Sequence, residues 1–482
     1  MKARTILNII LFFLITTALN AQELSLNQAV NIALKQNESI KRYKSKVEEK
    51  SSLKSAAFGN YLPTITVAGG YTYLGDDVKI NTEQAKNSLD DILANYGVIM
   101  ADNILGLTPE EQANLYNKFV SSLGKFPAYD LVLDKQNVPT ANIVLIQPLF
   151  TGGKITAGSN FAEAEFNEAS IELTKTTNET IQSIVDIYLG IAMLEQVVLT
   201  RQDVVNGIKK HKAMAQKLFA EGIISKYHVL RADVAVAEAE TSLEDDENNL
   251  ELAYLALKST MGVSQDTVFV LTDSLKYYNY DLNRNAAVDS AYVNQPLLQL
   301  IDQKKVMVDQ KKNLASSKFW PTIFAFGEVG FFRRDFPGVI QPPWMVGIQA
   351  NWEIFSGFKD YEDLQAATHL ENQLLHAKKD AKNKIKLWIN KSYTQAINAK
   401  TKYEKSETTI KLAQENLRMS ERRFEEGFGT SLEVIDANMM LEGERVKRLS
   451  SLYNYYKALN ELFTAAGEPT KIIEIIDEGQ YR

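Results

Sequence analysis

Two long stretches of this chain leave little but helix to form. From Ile155 to Ala220 there is no proline, and Gly158, Gly190 and Gly207 are the only glycines. A helix of those 66 residues spans about 100 Å at ~1.5 Å per residue. A second long run reaches Glu425. Gly222 and Gly427 break the two runs, and each is followed by a shorter helical segment that stops at Gly262 or Gly467.

The register shows that the second half repeats the first. Phe150-Thr-Gly and Phe355-Ser-Gly, Gly222 and Gly427, and Gly262 and Gly467 are all 205 residues apart. On the N-terminal side, Ala33 and Ala291, and Pro63 and Pro321, are 258 apart. The difference between the offsets lies between two strands, where 87 residues separate Pro63 from Phe150 but only 34 separate Pro321 from Phe355. Each copy reads as helix, strand, strand, long helix, short helix. The first has a helix over Asn27–Ala57, a strand in PTITVAGGYTYLG, a strand over Ala141–Phe150, the long run, and a helix over Lys226–Met261. The second has a helix over Asp289–Ser317, strands in PTIFAFGEVGFF and Trp344–Phe355, then its own helix pair. The expected organisation is a leader (1–21), a first repeat (22–262) carrying an insert (76–138), an equatorial linker (263–285), a second repeat (286–467) and a C-terminal tail (468–482). Two half-length helices together match one long helix, so they can stack end to end beside it.

The N-terminus indicates export. Lys2 and Arg4 precede an apolar stretch from Ile6 to Leu19, and Ala21 is the expected cleavage point. Those 14 residues reach only about 21 Å as a helix, short of a ~30 Å hydrocarbon core. No later stretch approaches 18 unbroken apolar residues, so the mature chain is expected to lack a spanning helix.

The strands look built for a membrane. Trp344, Val346, Ile348, Ala350, Trp352 and Ile354 alternate with Met345, Gly347, Gln349, Asn351 and Glu353, giving one apolar and one mostly polar face. Trp320, Trp344 and Trp352 fall at or near strand ends, as interfacial girdles do. The third strand is less tidy, since Phe324, Phe326 and Phe332 share a face with Glu328. Four strands cannot close a barrel, and open edges are not tolerated in lipid. A dimer gives eight strands and a filled interior; a trimer gives twelve and a lumen.

Composition argues against chemistry. With 53 basic and 60 acidic residues, the net charge of −7 argues against nucleic acid as the main partner. No cysteine is present, which removes disulfides, thiolate metal sites and cysteine nucleophiles. Four histidines leave little for a histidine-built active site. Gly152-Gly153-Lys154 lacks the first glycine of a phosphate loop, and His369 and His376 are too far apart for a helical zinc pair. No enzyme activity, cofactor or metal is expected.

The two hairpin tips, LFAEGIISKYHVLRADVAVAEAE (218–240) and RFEEGFGTSLEVIDANMMLEGE (423–444), and the joints FTGGK (150–154) and FSGFK (355–359), resemble the TolC-type outer-membrane efflux protein family. The resemblance covers Leu24 to Gly467 apart from the insert. It implies a mainly α fold with a small β part. Three copies would form a homotrimer with a twelve-stranded barrel in outer-membrane lipid, continuous with a long α-helical barrel in the periplasm. It further implies passive conduction in tripartite efflux or one-step secretion, with an adaptor protein and an inner-membrane transporter as partners. Docking would fall on the tips, here Gly222, Ile223, Ser225, Gly427, Gly429 and Thr430. Acids of the second tip ring the periplasmic mouth in the family, and the matching positions are Glu433 and Asp436. On the residues alone, this pair is equally a solvated helix start favoured by the helix dipole. The family's locking Arg, Tyr and Asp match Gly429, Phe424 and His228, a departure that leaves Lys226 or Arg231 to pair with Glu433 or Asp436. The competing reading is a periplasmic coiled-coil adaptor or structural protein without a channel.

Overall fold

The computed structural model describes residues 22–125, 130–134, 137–332 and 342–480, and the expected leader lies outside them. The first part of the chain forms β1 (Gln22–Leu24), α1 (Leu26–Gln36), α2 (Glu38–Gly59), β2 (Thr64–Tyr73), β3 (Val78–Asn81), α3 (Glu83–Leu105), α4 (Pro109–Leu123), β4 (Asp130–Asp134) and β5 (Asn137–Phe150). Then come α5 (Lys154–Ala220), α6 (Lys226–Met261), β6 (Phe269–Leu271), α7 (Arg284–Asn294), α8 (Pro296–Ser317), β7 (Thr322–Gly330) and β8 (Trp344–Asn351). The chain ends with α9 (Lys359–Glu425), α10 (Ser431–Ala466) and α11 (Lys471–Gln480). Two compact units result: one of residues up to 55, 158–312 and 363 onward, the other of 56–157 and 313–362.

In the first unit, each long helix runs antiparallel to two shorter ones in succession. Lys50 and Lys54 of α2 pair with Glu165 and Glu163 of α5 at 2.9 and 2.8 Å. Further along α5, Lys209 and Lys212 pair with Glu240 and Asp233 of α6 at 2.6 and 2.7 Å. The second repeat does the same: Lys312 of α8 pairs with Glu371 of α9, and Arg448 of α10 with Glu407 of α9. Where α6 ends against the start of α2, the Asn37 side chain donates to Thr260 O at 2.7 Å. At the equivalent joint, Gln295 Nε2 donates to Thr464 O and Ala465 O at 3.2 and 3.0 Å.

The same two residues correct the sequence reading, which drew one helix over Asn27–Ala57 and one over Asp289–Ser317. Each is two helices. Asn37 and Gln295 take extended backbone (ψ 125 and 116). Asn37 donates its N–H to Ala33 O and accepts from Ile40 N through its side chain, so it ends one helix and starts the next. Gln295 precedes Pro296, and a residue before proline is pushed out of the helical region. The residues expected as a tail include α11, whose Ile472, Ile473 and Ile476 are buried in the core.

That core gathers where the helices are most crowded. Leu24, Leu26, Tyr188, Ile191, Leu257, Met261, Tyr455 and Leu459 are fully covered there. The Tyr188 hydroxyl lies 2.8 Å from Leu24 O and 3.0 Å from Asp273 Oδ2, and Leu26 N donates to the same carboxylate oxygen at 2.6 Å. By length and composition α5 could cross a membrane. Its apolar middle has another explanation, because Ile184, Val185, Tyr188 and Ile191 are interior residues of this core.

The second unit holds the antiparallel sheet β2-β5-β7-β8. Register sorts its faces. Ile65, Val67, Tyr71 and Tyr73 of β2 share a face with Ile143 and Leu145, then Ala325 and Val329, then Trp344, Val346 and Ile348. The other face carries Thr64, Thr66, Asn142, Glu328 and Gln349, together with Val144, Ile146 and Met345. Phe324 and Phe326 lie on this mixed face, which explains why β7 looked untidy. Phe326 covers Gly347, where an added Cβ would meet its ring at 2.8 Å, and Asn142 Nδ2 donates to Glu328 at 2.9 Å. β8 stops at Asn351, short of the Phe355 expected.

The insert, read from the sequence as an added segment between two strands, forms elements of its own. Thr108 caps α4, in a reciprocal box with Glu111, and Pro109 is the first helical residue. Residues 83–105 form a second, longer helix, α3, flanked by the β3–β4 ladder.

Candidate functional site at the hairpin tips

Both tips are made by the same backbone device. At the end of α5, Ile223 N donates to Leu218 O and Gly222 N to Phe219 O. At the end of α9, Phe428 N donates to Arg423 O and Gly427 N to Phe424 O. These paired bonds satisfy the last carbonyls of each helix and reverse the chain within a few residues. Thr430 then caps α10 by accepting from Glu433 N at 3.2 Å, while Ser225 occupies the cap of α6 without a side-chain bond. At Gly429 an added Cβ would stand 2.9 Å from Phe424 N, so the tight turn has no room for a side chain there.

An apolar plug holds the two tips together. Phe424, Ala215, Leu218, Ala232 and Val434 are buried against one another from four helices. The His211 ring packs on Phe424, with centroids 4.6 Å apart, and its Nε2 lies 2.7 Å from Ser431 Oγ. Ser431 Oγ in turn donates to His228 O at 3.4 Å. Burial, with a smaller push from nearby His228, lowers the His211 pKa to about 4, so the ring is neutral at physiological pH. Of the three positions matching the family's lock, Phe424 is buried in this plug, His228 contributes a backbone acceptor, and Gly429 is bare.

The charged candidates sit outside the plug. Glu433 is half-buried and pairs with Arg423 across its own tip at 3.6 Å; Asp436, one turn on, is exposed. The partner of Glu433 is therefore Arg423, in place of the Lys226 or Arg231 expected. Lys226 is exposed, and Arg231 lines a shallow groove with Tyr227, Val234 and Ile435. Gly222, Ile223, Ser225, Gly427 and Thr430 are all exposed. A deeper groove of about 380 Å³ lies between the hairpins, lined by Asp203, Lys210, Glu421, Glu425 and Arg445.

Sequence reading missed the pillar that ties the hairpins above the tips. Arg201 of α5 binds Asp246 of α6 at 2.8 Å and also Glu442 of α10. Its three members are far apart in sequence, and only the acids' placement on helix faces hints at them. In the sheet unit, Trp320 and Trp352 flank one end of the β7–β8 pair and Trp344 the other, each more than half exposed.

A model of the outer membrane efflux protein family matches residues 132–263 and 289–468, more than half the chain. The fold is similar to that of the outer-membrane channel OprN, at 14% identity and a TM-score of 0.71 over 92% of this chain and 90% of that one. It is similar to the outer membrane protein VceC from Vibrio cholerae, at 15% and 0.69 over 92% and 96%. It is likewise similar to the Campylobacter jejuni CmeC outer membrane channel, at 14% and 0.70 over 95% and 90%. No curated protein matches.

Proposed function

The chain belongs to the outer membrane efflux protein family, and from that premise we propose that three copies form the outer-membrane conduit of a tripartite export assembly. The observation that carries the reading is the sheet: one face is mostly apolar, interrupted by Asn137 and Gln147 of β5, and β2 and β8 each have an edge without a strand partner among the described residues. Lipid does not tolerate open edges, so the edges must meet those of other copies. Twelve strands leave a lumen, with the Thr, Asn, Glu and Gln face turned inward. Trp320, Trp352 and Trp344 then lie at the two interfaces.

The same symmetry brings the tips of three copies together as the periplasmic mouth, with Glu433 and Asp436 as six carboxylates around it. A narrow, low-dielectric opening of one charge concentrates the field and favours cations. The exposed tips and the grooves beside them offer an adaptor protein a place to dock, with an inner-membrane transporter beyond it. The insert, entering and leaving between β2 and β5, lies outside the cell, where protease added to intact cells should nick it first.

The test is block of single channels in a planar bilayer by divalent cations added from the helical side. Glu433→Ala with Asp436→Ala should weaken block by at least about tenfold, roughly 1.4 kcal/mol, in a protein that still runs as a trimer by mass in detergent. Undiminished block would place the mouth elsewhere, and a monomer or dimer as the dominant species would refute the barrel.

A further inference from the structure

α3 carries more apolar surface than its own unit uses. One side packs on α4: Ala94 is fully buried, an added Cβ at Gly97 would touch the Phe119 ring at 3.0 Å, and Tyr116 OH donates to Asp91 at 2.9 Å. On another side Leu89, Ile92, Tyr96 and Ile99 are 55–63% exposed, with Leu93 and Met100 beside them. Together these six expose on the order of 600 Å², the upper end of what a monomer normally shows.

The pattern of that side indicates what covers it. Ala85, Leu89, Ile92, Tyr96, Ile99 and Asn103 are spaced alternately by four and three residues, the 3.5-residue period of a coiled-coil seam. No charged side chain stands in the seam; Lys86 and Asp90 pair with each other at its flank, 2.5 Å apart. Asn103 is the sort of single polar residue that fixes register between identical helices, and a lipid-facing side would gain nothing from it. Continuity points the same way, since α3 follows β2, the strand whose free edge must meet another copy. The area falls short of the ~800 Å² per partner of a free-standing interface, as suits an extension of a larger one.

We propose that the α3 helices of three copies pack on one another through this seam as a parallel three-stranded coiled coil, which caps the outer end of the conduit. The inference rests on the trimeric reading above. Three identical helices that share one seam must surround the threefold axis, and in a trimeric channel that axis is the pore.

The chain has no cysteine, so single substitutions report cleanly. Ile92→Cys, Ile99→Cys and, on the opposite side of α3, Asn87→Cys are made in the full chain and treated with a short bis-maleimide in outer membranes. The expected result is cross-linked dimer at Ile92→Cys and Ile99→Cys at least about fivefold above Asn87→Cys, since side chains one-half turn away point from the seam. Equal yields at all three positions, in a protein that is trimeric by mass, would mean that the seam faces lipid or a different protein; the cap would be wrong and the channel would stand. A monomeric parent protein would bring down the assembly and the cap with it.

Discussion

Gly222 and Gly262 have the same backbone angle, φ +76, yet they should respond differently to an added methyl group. Any L-residue held in that region carries about 1–2 kcal/mol of strain. At Gly222 this is the whole cost, because nothing lies within 4 Å of the new Cβ. At Gly262 the Cβ would stand 2.5 Å from Gln36 O and 2.9 Å from Gln36 C, where the end of α6 meets the start of α2. Both contacts are backbone, so the joint must open and weaken the Asn37–Thr260 bond. Overpacking of this kind adds about 1–3 kcal/mol. Gly262→Ala should therefore cost about 2–5 kcal/mol against about 1–2 for Gly222→Ala. Urea denaturation followed by far-ultraviolet circular dichroism, at one fixed protein concentration, reads the difference as a shift in midpoint. Equal shifts would show that the joint is not the close contact described, and Gly467→Ala, with its Cβ 2.7 Å from Asn294 C, should behave like Gly262→Ala.

In the cation-block assay, Asp436→Ala should weaken block more than Glu433→Ala, since Arg423 offsets part of the Glu433 charge at 3.6 Å; the reverse order would refute that role for Arg423. His211 has a folded pKa of about 4, below its ordinary value, so below about pH 6.5 the unfolded chain binds the extra proton. Stability is then lost as pH falls from about 6.5 towards 4, by up to about 3 kcal/mol from this group, and urea midpoints of His211→Gln should show a flatter dependence over that window. Tyr188→Phe removes the hydroxyl that meets Leu24 O and Asp273, and should lower stability by about 1–3 kcal/mol. A thermal midpoint equal to the parent's would show that this buried bond contributes nothing net.

Much of the architecture was legible because glycine and proline mark where helices must stop. Gly222, Gly262, Gly427 and Gly467 all have φ between 76 and 82 and sit at helix ends. Asn37 left no such mark, since its neighbours keep a helical period and its side chain's other bond, to Thr260, is made 223 residues away. α3 was passed over because Asn, Asp and Gly97 dilute its apolar residues to an unremarkable average, and only the spacing reveals the seam. At the tips, the i, i+3 acids could be read directly, as local spacing always can. The pairing of Glu433 with Arg423 could not, because it depends on how tightly Gly429 lets the chain turn. The His211–Ser431 contact joins residues 220 apart, a proximity that only the packed hairpins create.

The end-to-end joints also govern when the protein can fold. A column made of α6 followed by α2 is discontinuous in the chain: its two halves meet only after more than two hundred residues have been released. The second joint, closed by Gln295 on Thr464 and Ala465, spans about 170 and needs almost the last helix of the chain. Neither column can nucleate locally and grow outward in the way a hairpin does. Loop-closure entropy has to be met before the contacts that offset it exist, which places such a topology among the slow folders. A chain arriving N-terminus first thus keeps the packing surfaces of α1 and α2 uncovered throughout that interval, the condition in which exposed apolar surface invites aggregation.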